Sequence, residues 1–262
     1  MRAYSPTALD QYADDLNRDG ICVLEGVFDA ALIKRWADAF EALVKERRGR
    51  PGGLAPRGPG RFYVSLPWTA PFADPDVFAN PNVLGVLNRV FAQEYVMVQL
   101  AADTPERGST YQDVHRDYRP LFADNVVTPL YALAVNFALC DVTADNGPFE
   151  MVRGTHVIPK EQGLRDVAEK RRPIEAFPMR AGDVMIRTPL ALHRGTPNNT
   201  DQPRPMVVMG YVMHWLHTPK VDLTVPRAAY DQLPAELRAL LRCQVVDQAP
   251  VDAVESYIDF EY

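Results

Sequence analysis

Apolar residues Leu9, Tyr12, Ala13 and Leu16 recur at helical spacing just after Ser5 and Thr7, either of which can cap a helix. Gly20 then offers a left-handed stop, and Ile21–Leu24 reads as a short strand. Asp29 opens a second helix that places Leu32, Ile33, Trp36, Phe40, Leu43 and Val44 on one face. The pattern lapses over 47–61, an arginine-, glycine- and proline-rich run that predicts a mobile loop, either a lid or a solvated segment. A third helix is expected over 80–93, with Val83, Leu84, Leu87, Val90 and Phe91 facing inward. From Tyr95 onward the period shortens. Strands are expected at 95–100, 109–114, 131–139, 149–152, 184–187 and 205–215, separated by Asn-Gly, Ala-Gly-Asp and Pro-Asn-Asn turns. Two short helices, over 227–232 and 234–242, precede an acidic, aromatic tail at 251–262.

Helices first and strands afterwards indicate an α+β fold, an antiparallel sandwich or barrel with helices on one side. The 262 residues fit a single domain, divided into a helical part over about 1–93, a β core over about 94–217 and a helical tail over about 218–262. Composition narrows the function classes. A net charge of −6 argues against nucleic acid as a partner, and the longest apolar stretch, 130–140, contains Asn136 and is far too short for a membrane span. Three scattered cysteines (Cys22, Cys140, Cys243) are too few for a disulfide framework, which points to a cytoplasmic protein.

The chemistry centres on three histidine-bearing or basic segments. On a strand, His115 and Asp117 point to the same face, so an imidazole and a carboxylate can converge on one ion. His193 ends an apolar run and enters a polar turn, where it can supply a third ligand. Arg204 opens the next strand, and a hairpin closing around 197–203 would bring it beside His193. Two histidines and one carboxylate leave open positions on Fe(II) for a chelating 2-oxo acid and for dioxygen. A fixed guanidinium nearby suits the far carboxylate of 2-oxoglutarate.

These motifs resemble, in order and spacing, the phytanoyl-CoA dioxygenase family. The likeness rests on His115-x-Asp117, the stretch from Asp141 to His156, Ala181-Gly182-Asp183, His193 and Arg204. It implies a double-stranded β-helix (jelly-roll or cupin-like) fold that uses Fe(II) and takes 2-oxoglutarate as co-substrate. By resemblance His115, Asp117 and His193 are the catalytic iron ligands. Arg204 then binds the co-substrate, with Gln99 and Asn136 as further contacts. Related halogenases replace the metal carboxylate with a small residue; Asp117 is retained here, which favours hydroxylation, desaturation or cyclisation of a small natural-product intermediate. Two other readings remain open, a non-oxidative cupin-like metalloenzyme and a catalytically silent jelly-roll binding protein.

Other polar and aromatic residues carry weaker expectations. His156 should be hydrogen-bonded within the fold, and His214 and His217 should lie at the surface. Arg116, Arg119 and Arg194 are expected as solvated charges that could meet an anionic substrate. Met97, Met185, Met206, Met209 and Met213 read as core fillers. Phe62, Tyr63, Trp68, Phe72 and Phe78 could either wall a pocket or pack beneath the loop.

Overall fold

Ser5 caps the first helix by accepting from the Ala8 N–H at 3.2 Å, and Gly20 ends it at φ 82° with its N–H on the Leu16 carbonyl. The computed structural model describes residues 3–91, 93–123, 126–217 and 221–247. In chain order the elements are α1 (Pro6–Asp19), β1 (Ile21–Leu24), α2 (Ala30–Arg48), β2 (Ala55–Pro56), β3 (Arg61–Ser65), α3 (Pro75–Phe78), α4 (Pro81–Val90), β4 (Tyr95–Pro105) and β5 (Ala132–Ala138). There follow β6 (Phe149–Met151), α5 (Lys160–Ala168), β7 (Glu175–Phe177), β8 (Val184–Arg187), β9 (His193–Gly195), β10 (Met206–Met213), β11 (Thr224–Pro226), α6 (Arg227–Gln232), α7 (Ala235–Ala239) and β12 (Gln244–Val246). The expected tail at 251–262 lies outside the described residues.

Seven strands form an antiparallel sheet in the order β1-β8-β5-β10-β4-β3-β2, and β7-β6-β9 form a second, smaller sheet. Period-two alternation decides what each face carries. On β5, Val135 and Phe137 join the large hydrophobic cluster with Trp36 of α2, whose indole meets the Phe137 ring edge-on at 5.2 Å. Asn136, between them, faces a cavity instead. On β8, Val184 and Ile186 join the same cluster while Met185 and Arg187 line the cavity; on β10, Val207 and Met209 pack while Met206 and Val208 line it. One face of the large sheet is therefore a dry core and the other the wall of a site.

The structure departs from the expected elements at several points: α5, β7, β11 and β12 have no expected counterpart, and neither His115 nor Asp117 lies in a strand, His115 forming only an isolated bridge to His193. The run at 109–114 is not a strand: Gln112 spends its N–H on the Gly195 carbonyl, and the Ser109 hydroxyl accepts from Asn198 N–H, so its polar groups bond to the 195–198 turn rather than to a ladder. The arginine-rich run at 47–61 is not structureless, since it contains β2 and the first residue of β3. The third helix stops at Val90, preceded by the single turn α3. Finally, β9 and β10 are not partners in a hairpin. They belong to different sheets, because the Asn198 side chain bonds the Pro105 carbonyl, and Arg204 N–H does the same at 3.1 Å, drawing the connection across to β4.

Candidate metal centre and its cavity

His115 and His193 face each other as a hydrogen-bonded backbone pair, each N–H donating to the other's carbonyl at 3.0 Å. The Nδ1 atoms of both rings lie against carbonyls, His115 against Asp113 at 2.7 Å and His193 against Ala191 at 2.9 Å. Carbonyls only accept, so each Nδ1 carries the proton and each Nε2 presents a lone pair. Those lone pairs converge on Asp117, with His115 Nε2 at 3.5 Å from Oδ1 and His193 Nε2 at 3.2 Å from Oδ2. Asp117 is fixed in the backbone by its N–H on the Pro189 carbonyl. One donor atom from each of the three residues lies within 4.8 Å of the others.

Two imidazole lone pairs and a carboxylate aimed at one small space form a donor set that suits a cation. Burial pushes the His193 imidazole down to about 4, a larger effect than the upward pull of Asp117, so the ring is neutral at physiological pH. Burial would raise the Asp117 carboxyl, but the opposing pulls, among them the Arg187 guanidinium on Oδ2, hold the group well below its usual value. A neutral-histidine, ionised-carboxylate set is what a divalent transition metal binds. Among the described residues no other group of three or more such donors clusters this way.

A cavity of about 410 Å³ opens from this point. At one end Arg204 is buried, with Nη2 donating to the Gly147 carbonyl at 2.5 Å while Nε finds no partner among the described residues. Beside it Asp103 takes Arg61 Nη1 at 2.7 Å and Arg57 Nη1 at 3.4 Å. Burial lowers the Arg204 guanidinium to about 10, against the opposing pull of Asp103. Burial works against the Asp103 carboxylate too, but Arg61, Arg57 and Arg204 keep its pKa below the ordinary value. Three guanidiniums around one carboxylate leave this end positive.

Gln99 and Asn136 stand on the strands flanking β10, opposite Gly210 and Val208. Gln99 Nε2 donates to the Tyr63 hydroxyl at 2.9 Å, and Asn136 Nδ2 to the Val207 carbonyl at 3.2 Å. Asn136 Oδ1 is buried and has no partner among the described residues. An orphaned acceptor and an orphaned guanidinium N–H in one cavity mark a site built for a polar ligand.

A protein-family model, that of phytanoyl-CoA dioxygenase (PhyH), matches residues 16–206. The chain belongs to the phytanoyl-CoA dioxygenase family. Solved structures give the same fold. The epimerase SnoN from nogalamycin biosynthesis, described in complex with Fe3+, alpha ketoglutarate and nogalamycin RO, is 20% identical over 94% of this chain and 97% of its own, with a TM-score of 0.66. The carbocyclase SnoK of the same biosynthesis is 20% identical over 81% and 87%, with a TM-score of 0.63. HygX from Streptomyces hygroscopicus, with nickel and 2-oxoglutarate bound, is 17% identical over 94% and 98%, with a TM-score of 0.62.

In this family member the remaining expectations resolve residue by residue. His156 is held by the Asn17 carbonyl at 3.1 Å, and His214 and His217 are exposed. Arg116 is not a solvated charge: it is buried and donates to the Thr155 and Ile158 carbonyls, tying the segment after His115 to the turn before α5. Arg194 pairs with Glu150 at 2.6 Å and lies over Tyr111, whereas Arg119 is exposed. All five methionines are buried, and Met185 and Met206 also line the cavity. Of the aromatic group only Tyr63 reaches the cavity; Phe62, Trp68, Phe72 and Phe78 pack in the core.

Arg187, Arg61 and its counter-ion Asp103 gave no functional signal in the sequence. Arg187 donates both Nη1 and Nη2 to Asp117 Oδ2 at 3.0 Å. Arg61 reaches the cavity because position 195 is glycine; a Cβ there would lie 2.7 Å from the Arg61 guanidinium carbon and 2.6 Å from Gln112 Oε1. No helix among the described residues is long and apolar enough to cross a membrane.

Proposed function

We propose that this chain is an Fe(II)- and 2-oxoglutarate-dependent dioxygenase in which His115, Asp117 and His193 hold the metal, Arg204 grips the distal carboxylate of 2-oxoglutarate, and Gln99 and Asn136 contact the co-substrate between. One observation carries the reading: two lone-pair imidazole nitrogens and an ionised carboxylate, from separate stretches of chain, converge within 4.8 Å. When bound, the iron supplies the oxidising chemistry, coupling decarboxylation of 2-oxoglutarate to succinate with dioxygen-dependent attack on an unactivated C–H bond.

The protein's own contribution is geometric and electrostatic. The Nδ1 bonds to Asp113 and Ala191 fix both imidazoles in the ligating tautomer before any metal arrives. The positive Arg61–Asp103–Arg204 end attracts a dicarboxylate and orients it along the wall toward the triad. Tyr118 and Asp222 also line the cavity and are available to contact a substrate.

Three considerations support a small-molecule, natural-product substrate and an oxidative outcome. SnoN, SnoK and HygX, which share the fold, are described with nogalamycin RO bound, from nogalamycin biosynthesis, or with 2-oxoglutarate bound. Asp117 fills the position that a halogenase leaves vacant, which favours hydroxylation, desaturation or cyclisation over halogenation. The guanidinium-lined end suits a dicarboxylate co-substrate, which neither a non-oxidative metalloenzyme nor a silent binding module requires. A cytoplasmic location agrees with three unpaired cysteines, one of them fully enclosed in the core. The test is succinate release from 2-oxoglutarate with and without added Fe(II). Wild type should show iron-dependent turnover that His115→Ala lacks, and equal rates from the two proteins would refute the assignment.

A further inference from the structure

Arg187 closes β8, directly opposite Ile21 of β1 and Ala134 of β5. Strand alternation sends Val184 and Ile186 into the core and turns Arg187 into the cavity, where it is nearly buried. Both of its terminal nitrogens donate to the same atom, Asp117 Oδ2, each at 3.0 Å. The guanidinium carbon lies 4.7 Å from the centre of the Phe149 ring, and that ring in turn stacks on His193, with centroids 5.2 Å apart and planes 30° from parallel. One aromatic ring thus braces an imidazole of the triad together with the guanidinium that holds its carboxylate.

We infer that Arg187 is a positioning residue of the metal centre, which engages one oxygen of Asp117 and leaves the other as a single, oriented ligand atom. The inference rests on the reading of His115, Asp117 and His193 as the metal site. Its physical logic is a contest between two effects of opposite sign. As a cation beside a divalent ion, Arg187 weakens metal binding by Coulomb repulsion. As a double donor it fixes a carboxylate that sits outside any strand and would otherwise sample several rotamers, which strengthens binding. A carboxylate with one oxygen engaged also takes one coordination position rather than two, keeping the others free for a chelating co-substrate. Orientation wins, because the guanidinium is held on two sides, by Asp117 and by Phe149, and does not itself have to be ordered when metal binds.

The sign of one measurement separates the two effects. Calorimetric titration of the metal-free full chain with Ni(II) should show a single tight site in wild type and none in His115→Ala. Arg187→Gln should bind Ni(II) about 10–100-fold more weakly, the usual loss when an outer partner of a metal ligand is removed. Arg187→Lys should recover only part of that loss, since an ammonium keeps the charge but not the planar fork. Unchanged or tighter Ni(II) binding by folded Arg187→Gln would overturn the inference, leaving Arg187 a mere counter-charge or a packing residue whose loss shifts the melting temperature alone. If Arg187→Gln does not fold, Arg187→Lys decides, and wild-type affinity in that variant overturns the inference equally. Wild type that fails to bind Ni(II) would instead strike the metal-site reading itself.

Discussion

Replacing Asp103 with asparagine removes the one negative charge among three guanidiniums at the closed end of the cavity. Arg61 loses its 2.7 Å ion pair and keeps the bond to the Thr196 carbonyl and at best a neutral one to the new amide oxygen, in a place where its side chain is 2% exposed. Breaking a fully buried pair by deleting one partner costs about 3–5 kcal/mol, because the surviving charge stays desolvated. The Asp103 side chain retains 20% exposure, so water softens the loss. A reduced figure of about 2–3 kcal/mol follows from that screening. For a chain of this size each kcal/mol moves the melting temperature by roughly 2 °C, giving an expected drop of about 5 °C. The assay is thermal unfolding of Asp103→Asn followed by circular dichroism, beside the double variant Arg61→Met/Asp103→Asn. The double variant removes the stranded cation as well and should melt above the single one, since deleting both partners costs less than orphaning either. A single variant within about 1 °C of wild type, or a double variant melting lower still, would refute the argument that Asp103 is the counter-ion of this cluster.

Three other outcomes follow from the same geometry. Arg204→Gln should raise the KM for 2-oxoglutarate about 30–100-fold, the equivalent of roughly 2–3 kcal/mol for a lost buried charge pair, with a much smaller change in kcat; succinate release against 2-oxoglutarate concentration reads it, and an unchanged KM counts against the role. Asn136→Leu relieves the buried, unpartnered Oδ1, so the variant should melt no lower than wild type while its KM for 2-oxoglutarate rises several-fold; a lower melting temperature with unchanged kinetics would make the amide structural only. Gly182→Ala forces a side chain onto a residue at φ 98° and sets a Cβ 2.3 Å from the Phe28 carbonyl oxygen. Its unfolding temperature should fall by about 5 °C, from roughly 2–3 kcal/mol of backbone strain, without altering metal affinity.

What the sequence disclosed was local. α1 and α2 are legible because their boundaries are written into single residues, the N-caps Ser5 and Asp29 and the stop at Gly20, and β8 because a β-branched run follows a Gly-Asp turn. The triad is legible because its residue types are rare in that combination and their order matches a family. Arg187 was hidden: every residue of β8 is buried, so nothing in its composition says which face meets solvent and which meets a cavity. Arg61 was hidden by its neighbours, since an arginine-, glycine- and proline-rich run reads as loop although its last residue starts a strand and inserts into the site. The route of the 193–204 segment was misread for a third reason. A Pro-Asn-Asn turn between two apolar runs signals a hairpin, but the Asn198 side chain donates a bond to the Pro105 carbonyl of β4, and that long-range anchor has no sequence period.

The reciprocal backbone bridge between His115 and His193 has an evolutionary corollary. Two main-chain bonds, indifferent to side-chain identity, set the spacing of the imidazoles, while Asp117 and the Pro189 and Ala191 carbonyls that complete the frame come from the two ends of the chain between them. The chain between them also carries the exposed side chains of Phe122 and Val127 and helix α5. Substitutions at those exposed positions leave both bridging bonds in place, which gives this scaffold a mechanical route to surface variation at unchanged histidine spacing.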